Sequence, residues 1–103
     1  MTSDTNKSSL DTKPARFALG HVFATPGALD ALDTVGLDAW RLLDRHVQGD
    51  WGDVPAPDAL ANEEALLCEG RVLSSYPLGN GVRVWIITEA DRSSTTLLLP
   101  DEY

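Results

Sequence analysis

The pair Asn80-Gly81, set between two apolar segments, constrains this chain's fold more than any other feature. Asn-Gly readily takes the positive φ values that a tight two-residue hairpin turn requires. The segments on either side, Arg71–Tyr76 and Val82–Thr88, carry the β-branched and aromatic residues of strands. A hairpin closing through Pro77–Gly81 therefore follows. Thr95–Leu99 comes after a polar loop, Glu89 to Thr95, and is expected to pair antiparallel with the middle strand until Pro100 stops it. The C-terminal third reads as a β-meander.

Before Gly70 the period is helical. Thr25-Pro26 is a helix start, a hydroxyl cap followed by proline where no N–H is needed. Ala28, Leu29, Leu32 and Val35 then form a stripe that ends at Gly36. Asp38 opens a second helix, Ala39–Gln48, with Trp40, Leu43 and Val47 on its apolar face. His46 lies near its C-terminal end, where the helix dipole favours a protonated ring. A turn-rich loop, residues 49–57, precedes a third helix from Pro57 or Asp58 to Glu69. Leu60 and Leu67 share one side of it with Glu63 or Glu64, Ala59, Ala65 and Leu66 widen the apolar arc, and Cys68 is expected in the core. Phe17–Ala24 suits a short strand, with Gly20 marking a bulge. The expected architecture is α+β: an N-terminal strand and two to three short helices packed on a three- or four-stranded antiparallel meander.

Such a chain makes one domain. Its 103 residues are too few for two, and 43% hydrophobic content with three tryptophans supports a packed core. The domain is expected over residues 16–103, preceded by a disordered polar tail over residues 1–15 that resembles neither a signal peptide nor a membrane anchor. With Cys68 alone there is no internal disulfide, which suits a reducing cytoplasm. No membrane partner and no cofactor are expected. Oligomeric state is not legible.

The charge is concentrated. Residues 30–69 hold ten acids against Arg41 and Arg45, a net of −8 that equals the total for the chain. The flanking parts come to +1 and −1. A surface of that sign repels phosphate backbones and favours a basic protein partner over nucleic acid. Solubility alone also accounts for acidic helices.

Two stretches could carry chemistry. The loop Thr88–Thr95 gathers Glu89, Asp91, Arg92 and four hydroxyls between two strands. Glu89 there could serve as a general base and Arg92 as a fork for carboxylate or phosphate, although a tight turn held by local pairs would use the same residues. Asp50 and Asp53 bracket Trp51-Gly52, and with Asp58 they could offer oxygens to a hard cation, but the spacing fits no calcium loop. Caps and turns, with Trp51 plugging the core, explain them as well. His21, His46 and Cys68 are too scattered for zinc, and no metal site is expected.

Beyond these patterns, His46–Asp53 (HVQGDWGD), Asn62–Leu66, Arg71–Tyr76, Trp85–Ser93 (WIITEADRS) and Thr95–Tyr103 (TTLLLPDEY), with Phe17–Gly20 and Ala24–Leu29, resemble a family of small bacterial proteins that are plasmid-related and encoded near mobile elements. The resemblance spans about residues 17–103. It implies a role in defence, counter-defence or a toxin–antitoxin pair. Members are sometimes labelled restriction–modification subunits, but this chain is too short for a methyltransferase and lacks a glycine-rich methyl-donor motif.

Two functional readings follow. In the first, the protein is a non-enzymatic interaction or inhibitor module that binds a basic partner through Asp30, Asp33, Asp44, Asp50, Trp51, Asp53 and Glu63. In the second, it is a small ribonuclease like barnase- or RelE-type toxins, with Glu89, Arg92, Arg71 and His46 in the catalytic roles. Against the second stand the acidic surface and the lack of a histidine in the last strand region.

Overall fold

Thr25 behaves as its sequence context predicts: its hydroxyl accepts the Ala28 N–H at 3.0 Å, and Pro26 begins the helix it caps. The computed structural model describes residues 14–103, so the tail expected over residues 1–15 lies almost wholly outside them. In chain order the elements are β1 (His21–Ala24), α1 (Pro26–Thr34), α2 (Ala39–Val47), α3 (Ala56–Cys68), β2 (Val72–Pro77), β3 (Arg83–Thr88) and β4 (Ser94–Leu98). A single 3₁₀ turn, Pro100–Glu102, follows. The fold is α+β.

The hairpin forms in the expected place, with Tyr76 opposite Val84 and Val72 opposite Thr88. β4 pairs antiparallel with β3, completing the meander. The N-terminal strand does join the sheet, but parallel to β4, giving the order β1-β4-β3-β2 and a mixed sheet rather than a purely antiparallel one. It is also shorter than expected. Gly20 is not a bulge within it: with φ +66, Gly20 turns the chain just before β1, and a Cβ there would collide with the carbonyls of Arg92 and Ser93.

Both α1 and α2 lie on one face of the sheet. Ala28, Leu32, Leu42 and Leu43 pack there against Tyr76, Val84, Ile86 and Leu97 in the main core. A second cluster, Trp51, Ala65 and Val72 with Phe17 and Leu66 packed against it, joins α3 to the start of β2. Trp51 thus plugs the core from its turn.

Three expectations about faces need correction. α2 is rotated so that Leu42 and His46 point inward beside Leu43 and Val47, leaving Trp40 60% exposed. α3 turns Asn62 and Ala65 inward because it seats on the sheet's edge rather than its face, so Leu60 and Leu67 are exposed. Cys68 is exposed too. α3 ends before Gly70 as expected, on Glu69 in left-handed conformation, φ 58.

Of the sheet's two outer strands, β1 and β2, β2 is closed along its free edge. The Asn62 amide donates to the Leu73 carbonyl at 2.7 Å and accepts the Leu73 N–H at 3.0 Å, imitating a neighbouring strand. Two residues on, the Ser75 N–H donates to the Trp51 carbonyl and the Asp53 N–H donates to Ser75's. Gly52, φ +74, lies between them, where a Cβ would strike the Ser75 carbonyl. Paired edges of this kind offer no template to another strand.

Candidate functional site

The residues proposed for catalysis are not gathered into one open site. His46 is fully buried on the helix-covered side of the sheet. Its Nδ1 lies 2.6 Å from the Ser74 hydroxyl and its Nε2 lies 2.9 Å from that of Thr88. Counting donors sets the direction of this chain. The Thr95 hydroxyl donates to the Leu19 carbonyl at 2.7 Å, so Thr88 must donate to Thr95. His46 Nε2–H must then donate to Thr88, which leaves Nδ1 to accept from Ser74. The ring is neutral: burial, and next the positive charge of Arg92, push its pKa down to about 3. The protonated ring expected from the helix dipole loses to desolvation.

Arg92 is committed to the fold. Its guanidinium donates to the carbonyls of Gly70, Glu89 and Ala90 through Nη1 and to that of Ala65 through Nη2. It also lies 5.5 Å from the centre of the Phe17 ring. The arginine therefore ties the end of α3 to the β3–β4 loop, and its fork is already occupied. Arg71 and Glu89 do lie together, 3.8 Å apart, with the Tyr103 hydroxyl 2.6 Å from Arg71 Nη2. They stand across the sheet from His46, as Val72 and Thr88 beside them face the helices.

Of the residues proposed to meet a partner, four are used internally. Glu63 takes a two-pronged bond from Arg16 and also accepts the Trp51 indole N–H at 3.1 Å. Arg16 chiefly, then Trp51, holds the Glu63 carboxyl below its usual range. Asp50 receives Arg45 at 2.7 Å and is lowered by it. Asp53 pairs with Arg83 at 2.9 Å. Both turn aspartates thus face arginines, and among the described residues no group of three or more His, Cys, Asp or Glu side chains could hold a metal ion.

Asp30, Asp33 and Asp44 are different. All three are exposed and have no ion partner among the described residues. Each helix sets a large apolar side chain one turn before an acid: Leu29, 52% exposed, before Asp33, and Trp40 before Asp44. The three acids were among the residues proposed from sequence, but Leu29 and Trp40 were read as parts of buried apolar faces, so the apolar component of this surface was missed. No family model, curated protein or solved structure matches this chain. Among the described residues no helix is long and apolar enough to cross a membrane.

Proposed function

We propose that this protein is a non-enzymatic recognition module whose α1–α2 layer docks on a basic partner protein. The observation that carries this reading is that Leu29 and Trp40 are exposed on α1 and α2, the two helices that carry Asp30, Asp33 and Asp44, which are exposed and have no ion partner among the described residues. Protein interfaces are anchored by a few large side chains, aromatic ones above all, within a polar rim, and rim charges steer the encounter. A partner with a basic, nucleic-acid-binding groove fits that chemistry, and the resemblance to proteins encoded near mobile elements agrees with an inhibitor of such an enzyme.

Affinity capture tests it. Immobilised protein should retain a basic partner that elutes as salt rises, because rim attraction is screened over about 10 Å at 0.1 M salt. The triple variant Asp30→Lys, Asp33→Lys, Asp44→Lys should lose that partner, and Trp40→Ala should weaken retention by about tenfold or more. Capture unchanged by the triple reversal would falsify the proposal.

A further inference from the structure

The helix-free side of the sheet carries an open groove of about 530 Å³ beside the closed edge of β2. Its floor is Leu73 and Trp85, diagonal neighbours on β2 and β3 with Ser75 directly opposite Trp85, and its wall is Val54-Pro55 leading into α3. Arg83 closes one end, held by Asp53 at 2.9 Å and by the Ser75 hydroxyl at 3.4 Å. Asp58, exposed and without an ion partner among the described residues, stands on the wall. On the far side Tyr103 meets Trp85 edge to face, ring centres 5.9 Å apart.

This groove selects against one kind of peptide and for another. An added β-strand needs free backbone groups along the edge, and those of Leu73 and Ser75 are already taken by Asn62, Trp51 and Asp53. A polyproline II segment needs no ladder: its rings pack on aromatic side chains, and its carbonyls accept isolated donors. The Trp85 indole N–H is such a donor, since no described residue accepts it, whereas the Trp51 indole is bonded to Glu63. Asp58 and the negative surroundings favour a cation on the ligand. We infer that this groove binds a proline-rich segment carrying arginine or lysine, with prolines on Trp85 and Leu73 and the cation at Asp58.

The groove and the α1–α2 layer lie on opposite sides of the sheet, so this inference does not rest on the function proposed above. The experiment titrates ¹⁵N-labelled full-length protein with a synthetic hexaproline peptide flanked by arginines. An arginine-flanked valine–threonine peptide of equal length serves as the comparison. The Trp85 indole resonance should shift on adding the proline peptide, while those of Trp40 and Trp51 stay in place. Affinity should fall about tenfold in Trp85→Ala and several-fold in Asp58→Lys, and the Asp30, Asp33, Asp44 triple reversal should leave it unchanged. An unmoved Trp85 resonance at millimolar peptide overturns the inference, as does equal binding of the valine–threonine peptide. Because the first readout uses the unaltered protein, a variant that fails to fold leaves the decision intact.

Discussion

His46 shows how much a single side chain can be asked to do once it is buried. Both ring nitrogens are occupied, and the chain from Ser74 to the Leu19 carbonyl has one proton arrangement, which fits the neutral ring. The consequence for stability has a definite sign. The folded pKa, about 3, lies below the unperturbed 6.5, so between these values the unfolded chain binds a proton that the folded chain does not. Stability is therefore intact above pH 6.5 and falls with acidification at about 1.4 kcal/mol per pH unit, roughly 2 kcal/mol by pH 5. Asp50 and Glu63 also have lowered pKa values, but their unperturbed values are 3.8 and 4.5, so their losses come chiefly below pH 5. Urea unfolding at pH 7 and pH 5 should show the fall in the wild type. His46→Gln, which cannot titrate, should be less stable at pH 7 and change little between the two. An equal slope in both proteins would assign the effect to other groups.

At the scale of elements, the least expected device is the amide of Asn62 standing in for a missing strand. Asn62→Leu keeps the bulk and removes both bonds, leaving the Leu73 N–H and carbonyl to water at a cost of about 2 kcal/mol. Hydrogen exchange checks this locally: the Leu73 amide should lose protection well beyond the Ile86 and Leu97 amides of the sheet interior. Uniform loss across β2, β3 and β4 would mean that Asn62 only supports global stability. The elements themselves were legible because their signals are local. Thr25-Pro26 and Asp38 cap where they should, and the hairpin turns at the expected place, although Gly79 and Gly81, not Asn80, take the positive φ values and the loop closes from Leu78 to Val82. What was not legible is orientation. Periodicity locates an apolar arc, but its rotation about the helix axis depends on what the helix meets. His46 and Asn62 are polar residues drawn inward by partners 28 and 11 residues away, turning Trp40, Leu60 and Leu67 outward. The same limit applies to Arg92: its composition-level promise as an anion fork gave no hint that four backbone carbonyls would claim it.

For the whole molecule, the strand order β1-β4-β3-β2 means that the first strand has one neighbour, and that neighbour is the last. β1 joins the sheet only through it, and part of what seats α1 and α2 runs through it too. β1 lies parallel to β4 from His21–Ser94 to Ala24–Leu97, Leu97 packs in the core with α1 and α2, and Thr95 completes the His46 chain. Glu102 reaches back to the Thr25 hydroxyl at 2.6 Å. Helices α1 and α2 are nine residues each, too short to persist alone in water. A two-stranded hairpin is likewise marginal by itself. A fragment of residues 14–89 retains all three helices and both strands of the hairpin, yet it should not fold, because it loses the only neighbour of β1, Leu97 of the main core and the Thr95 hydroxyl of the His46 chain. Its circular dichroism should show no cooperative urea transition, and Trp51, now solvated, should emit at the wavelength of an exposed indole. A sigmoidal transition in that fragment would show that α3 and the hairpin form a core of their own. Adding a synthetic peptide of residues 90–103 should restore the transition, since loop closure contributes less than the contacts it brings together.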